Sequence, residues 1–153
     1  MTAFCDNNTI RNFVAKTCYL LDRCEFDAFL GLCSMELQYS IKVFSPEIRR
    51  DMVWLQHNLE GLKVLFEELP EHLQRTGVLL RHISYPVIEM EGGNINSITG
   101  FSLFHTDIDG NSKVLGVGHY HDQISHQGNN LYLTEREVRL DTRDLGIGLH
   151  VPI

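Results

Sequence analysis

Apolar and polar positions alternate in four successive runs through the second half of the chain: Val78–Glu91, Ile95–Thr106, Val114–Ile124 and Leu131–Asp141. Between them lie Gly92-Gly93-Asn94, Asp107-Ile108-Asp109-Gly110-Asn111 and Gln127-Gly128-Asn129-Asn130. These are residues that reach positive φ at little cost, so the pattern predicts an antiparallel ribbon with strands over 78–91, 95–106, 114–124 and 131–141. Runs of about eleven residues, against a usual five or six, must curl to share one sheet. Pro86 cannot donate to a ladder, which predicts a bulge or an edge within the first run.

The first half supplies what a curled sheet wraps. A helix is predicted over 9–21, capped by Asn8 or Thr9, with Ile10, Phe13, Val14, Thr17 or Cys18, and Leu21 on one face. A second, short helix over 25–33 turns Phe26, Phe29, Leu30 and Cys33 inward. Over 35–44, Met35, Leu37, Tyr39, Ile41 and Val43 alternate with polar residues, which predicts a half-buried strand. Ser45-Pro46 suits the start of a long helix over 46–69. Its stripe is Ile48, Met52, Leu55, Leu59, Leu62, Phe66 and Leu69, widened by Val53, Trp54, Val64 and Leu65. Pro70 closes that helix, and Glu71–Gly77 reads as a linker. Helices ahead of an antiparallel run predict an α+β fold: one cone-shaped domain, 1–153, whose curved and mainly antiparallel sheet wraps the N-terminal helices.

Charge and composition narrow the function. A net charge of −7 with dispersed basic residues excludes a nucleic-acid surface, which needs a positive stripe. No apolar run reaches the length that spans a bilayer, so no membrane role is expected. The N-terminus has neither a basic nor an apolar signal region. Cys5, Cys18, Cys24 and Cys33 form no C-x-x-C pair. They are expected to be reduced thiols in a cytoplasmic protein, two or three of them packed as small hydrophobes.

Candidate chemistry is sparse. His119-Tyr120-His121 puts two imidazoles on one strand face, but a metal site needs a third ligand; His82, His105 or Asp122 are candidates for it, and nothing in the spacing requires any of them. Asp107-x-Asp109-Gly110-Asn111 resembles the start of a calcium loop, yet its glycine comes too early, so a hairpin turn is expected. No motif activates a cysteine, and Gly116 and Gly118 lie within a strand rather than in a phosphate cradle. One catalytic option remains, an acid–base pair in the cone's hollow drawn from Asp27, Tyr39, His82 and His105. That option describes a stand-alone isomerase or dehydratase acting on a small apolar substrate.

Several stretches then converge on one family. Leu80-Arg81-His82-Ile83-Ser84, Ser97-Ile98-Thr99-Gly100-Phe101-Ser102-Leu103-Phe104, Gly116-Val117-Gly118-His119-Tyr120-His121-Asp122 and Leu133-Thr134-Glu135-Arg136-Glu137-Val138-Arg139-Leu140-Asp141-Thr142 stand in order along the ribbon. Together they resemble the small (β) subunit of Rieske non-haem-iron ring-hydroxylating oxygenases. The run from Tyr39 to Leu55 is similar to the methanesulfonate-monooxygenase-type branch, whose substrate is a small alkyl sulfonate. The resemblance implies a nuclear-transport-factor-two-like cone and a non-catalytic assembly role. It implies a homotrimer supporting large (α) subunits, which carry the Rieske 2Fe–2S cluster and the mononuclear iron. No cofactor or metal site is expected in this chain, which shows no Cys-x-His…Cys-x-x-His pair. Arg81, His82, Arg136 and Arg139 are expected at subunit interfaces, as long polar side chains that fix register.

Overall fold

The computed structural model describes residues 5–69, 77–144 and 153. Helix α1 spans Asn7–Asp22 and begins earlier than the apolar spacing suggests, because Asp6 rather than Asn8 or Thr9 caps it. The Asp6 carboxylate accepts from the Thr9 N–H at 2.7 Å, satisfying a donor that the first turn leaves open. Its buried face is Ile10, Phe13, Val14, Thr17, Cys18, Leu20 and Leu21. A short turn, with Cys24 at φ 56, leads into α2 (Phe26–Gly31), which buries Phe26 and Phe29. Strand β1 then runs from Cys33 to Ser45. Leu37, Tyr39, Ile41 and Val43 face inward as the alternation predicts, whereas Met35 is 92% exposed. An irregularity between Cys33 and Gln38 resets the alternation there.

The long helix predicted over 46–69 is not formed. Pro46–Arg49 is a turn, strand β2 occupies Arg50–Asn58, and only Leu59–Glu68 is helical, as α3. The cause is a bulge. Trp54 has no partner on β1, so Met52 pairs with Val43 and Leu55 with Ile41. Met52 and Leu55 therefore fall on one side of a strand although three residues apart, a spacing that imitates a helix. Asn58 caps α3 by accepting from the Gly61 N–H at 2.9 Å, and Leu62 and Phe66 are its buried face. The expected stop at Pro70 lies outside the described residues, as does the expected linker up to residue 76.

The ribbon comes next along the chain. The run 78–91 divides at Ser84–Pro86 into β3 (Val78–Ile83) and β4 (Val87–Glu91), and β4 pairs only with β5, as an edge. Strands β5 (Asn94–Thr106), β6 (Ser112–Gln127) and β7 (Asn130–Leu140) complete it. The sheet order is β2-β1-β7-β6-β5-β3, antiparallel throughout except that β1 lies parallel to β7. That crossover places the first strand of the chain beside the last. Between β6 and β7, Gly118 permits a close approach, since a Cβ on it would stand 2.2 Å from the Arg139 carbonyl oxygen. The helices pack on the concave face against Leu37, Tyr39, Ile41, Phe101, Leu103, Tyr120, Leu133 and Val138. Among the described residues, no helix is long and apolar enough to cross a membrane.

Candidate functional site

The centre of the concave face is polar. Arg136 on β7, Asp122 on β6 and Thr17 on α1 are all buried. Arg136 grips Asp122 with two parallel bonds, Nε to Oδ1 at 2.8 Å and Nη2 to Oδ2 at 2.9 Å. The same Nη2 donates to Thr17 Oγ1 at 2.8 Å, and the Thr17 hydroxyl donates on to the Val14 carbonyl at 2.6 Å. The guanidinium also lies 4.6 Å from the Tyr120 ring centroid. Arg136 Nη1 has no hydrogen-bond partner among the described residues.

A second arginine reaches the same place from β3. Arg81 donates from Nε to the Tyr120 hydroxyl at 3.0 Å and from Nη1 to Asp22, the last residue of α1. The Arg81 N–H donates to the other Asp22 oxygen at 3.0 Å. Tyr120 therefore sits between two guanidinium groups while its ring stacks on Phe101, centroids 4.3 Å apart. Two cations and two carboxylates balance across the hollow and tie α1 to three strands. Burial opposes both arginine charges, but the neighbouring groups, led by Tyr120 for Arg81 and by Asp122 for Arg136, outweigh it and hold both pKa values above the usual range. Burial pushes the Tyr39 phenol up to about 12 and the Tyr120 phenol well above its ordinary value, so both stay protonated at neutral pH. Tyr39 donates to the Ile153 main-chain oxygen.

The four acid–base candidates do not meet. Tyr39 points into the core, fully buried, whereas Asp27 is exposed on α2 beside a cleft of about 300 Å³ shared with Lys63 and Glu67. His82 lies on the outer sheet face with its ring 5.1 Å from that of Phe104. His105 is half-buried near the end of β5, opposite Leu79 and Lys113. The interface expectation also needs correction for two arginines: Arg81 and Arg136 are buried inside this chain by their carboxylate partners, so neither is presented to a neighbour. Arg139 does lie on the outer face. It binds Asp51 at 3.0 Å and also Glu137, which Lys42 reaches at 3.4 Å.

His119 and His121 are exposed on that outer face, and no group of three or more His, Cys, Asp or Glu side chains among the described residues is placed to hold a metal. The four cysteines are free thiols; Cys18 and Cys33 are buried, and burial pushes the Cys33 thiol up to about 12. Among the described residues, the donors brought together fit neither an iron–sulfur cluster nor a mononuclear iron. Asp107 closes a hairpin turn, accepting from the N–H groups of Asp109 and Asn111.

Sequence reasoning missed Asp122, Tyr120 and Asp22 as members of one network. The signal was parity: Tyr120 and Asp122 share their face with the buried Ile124, and Arg136 shares its face with the buried Val138 and Leu140.

The same fold and the same chain-long pattern recur in known proteins. A family model described as a SnoaL-like domain matches residues 2–137. The β subunit of 2-aminobenzenesulfonate 2,3-dioxygenase from an Alcaligenes species is 32% identical over 149 residues, covering 97% of this chain and 99% of that one. The β subunit of the methanesulfonate monooxygenase hydroxylase from Methylosulfonomonas methylovora is 31% identical over 156 residues, covering 95% and 86%. Among solved structures, the β subunit of benzoate 1,2-dioxygenase from Burkholderia mallei superposes with a TM-score of 0.78 at 15% identity, covering 99% of both chains. That likeness concerns the fold, which is the nuclear-transport-factor-two-like α+β cone.

Proposed function

This chain belongs to the SnoaL-like domain family as a β subunit of the ring-hydroxylating dioxygenase and methanesulfonate monooxygenase type, and from that premise we propose that it is the assembly subunit of a sulfonate-hydroxylating oxygenase. The observation that carries the proposal is the similarity to two oxygenase β subunits along almost the whole chain. The interior supports it, because its ionisable groups are committed to one another rather than to an open cavity. In this reading three copies associate through the outer sheet face and support large subunits. That face carries an apolar row, Leu80, Phe104 and Val114, in register across β3, β5 and β6, with Val87 and Ile98 beside one another on β4 and β5. Leu80, Val87 and Val114 are each at least half exposed.

The large subunit holds the Rieske cluster and the mononuclear iron, and its pocket selects the substrate. Both relatives are named for sulfonates, so a small alkyl or aryl sulfonate is the substrate class of the complex. Light scattering of the isolated chain tests the self-association, with a trimer expected and a strict monomer counting against it. Oxygen uptake by the complex on methanesulfonate and 2-aminobenzenesulfonate tests the substrate class. Uptake stimulated only by arenes lacking a sulfonate would overturn that part.

A further inference from the structure

One crevice on the outer sheet face is built by two register breaks at a single residue. Thr134 is the extra residue of β7 opposite Gln123 and Ile124, and β1 is irregular between Cys33 and Gln38 opposite the same point. Bulges of this kind re-aim side chains. Here they open a cleft of about 550 Å³ whose floor is a polar row in register across four strands: Asn96, Gln123, Glu135 and Gln38. Glu36 stands at its rim, and Ser125 lines it. The Ser125 hydroxyl is shielded from solvent yet has no hydrogen-bond partner among the described residues. Neither Glu36 nor Glu135 takes part in the ion pairs found among the described residues. By contrast Glu137, two positions along β7 from Glu135, is held by both Lys42 and Arg139.

We propose that this crevice receives an arginine or lysine side chain of the large subunit, with Glu36 and Glu135 as its counter-charges and the amides as orienting acceptors. The inference rests on the reading of the chain as an oxygenase β subunit. A guanidinium or ammonium group suits the place because Glu36 and Glu135 supply two carboxylates there, and the side-chain amides of Gln38, Asn94, Asn96 and Gln123 and the Ser125 hydroxyl each add an acceptor oxygen, with the His126 imidazole and the Thr134 hydroxyl as the remaining polar side chains of the lining. A cavity of about 400 Å³ between α1 and the β6–β7 turn is of opposite character, since it presents Lys16 among amides.

The test compares binding of the wild-type chain and the Glu36→Gln/Glu135→Gln double variant to the purified large subunit, at two salt concentrations. Glu60→Gln, on the exposed side of α3, serves as control. The expected result is affinity weakened about tenfold or more in the double variant, a shallower salt dependence, and an unchanged thermal midpoint. Equal affinity of wild type and double variant overturns the inference and leaves the β-subunit reading standing. A variant that alters self-association while binding the large subunit normally also overturns it, because the occupant would then be another copy of this chain. Failure of the wild type to bind overturns the reading itself.

Discussion

Arg136 and Arg139 stand three residues apart on β7 and look to opposite faces of the sheet. Arg136 is sealed in the hollow against Asp122, whereas the Arg139 side chain, 42% exposed, shares Asp51 and Glu137 with water. The two contacts have similar lengths, 2.8 and 3.0 Å, yet cutting them has very different consequences. An exposed pair exchanges protein partners for water, so little is lost. A buried pair has no water to fall back on, and either partner left alone is an uncompensated charge. The inner face thus uses charge to fix helix α1 on the sheet, and the outer face leaves its ion pairs in contact with solvent.

Cutting the inner pair gives the largest effect. Asp122→Ala should destabilise the fold by about 3–5 kcal/mol, read as a large drop in the denaturation midpoint. Replacing both partners with apolar residues, Asp122→Leu with Arg136→Met, should recover most of that loss; failure to recover would mean that the network does more than balance charge. Gly118→Ala comes next. Its Cβ would press on the Arg139 carbonyl between β6 and β7, costing about 3 kcal/mol without touching any charge.

Alkaline pH probes the inner face more gently. The Cys33 thiol and the Tyr39 phenol have folded pKa values raised to about 12 from 9.0 and 10.0, so the unfolded chain releases those protons first. Their contribution is intact below pH 9, falls between pH 9 and 12, and amounts to a loss of about 1–2 kcal/mol by pH 10. Urea titrations at pH 8 and about pH 10 measure it, and Tyr39→Phe should flatten the upper part of the window. The smallest effect belongs to the outer face: Arg139→Ala should cost about 0.5 kcal/mol, less at high salt. An effect of Arg139→Ala comparable to that of Asp122→Ala would erase the contrast between the faces.

The ribbon was legible because alternation and turn chemistry agree at every hairpin, as at Asp107–Asn111. The segment 50–58 was not, since the bulge at Trp54 gives a strand the spacing of a helix. The buried arginines were legible in principle. Arg136 has the parity of Val138 and Leu140, but a charged side chain suggests the surface until its partner is known. That partner, Asp122, and the anchoring Thr17 lie 14 and 119 residues away, and no local pattern reports a pairing at such separations. The candidate catalytic residues are not brought together for a related reason: His82 lies next to the inward-facing Arg81 in sequence, and a strand sends neighbours to opposite faces.

Native mass spectrometry of this chain co-expressed with its large subunit tests the central claim most directly. The account predicts an assembly with three copies of each chain and iron carried by the large one. A chain that remains a lone monomer beside a folded, iron-loaded large subunit would contradict it.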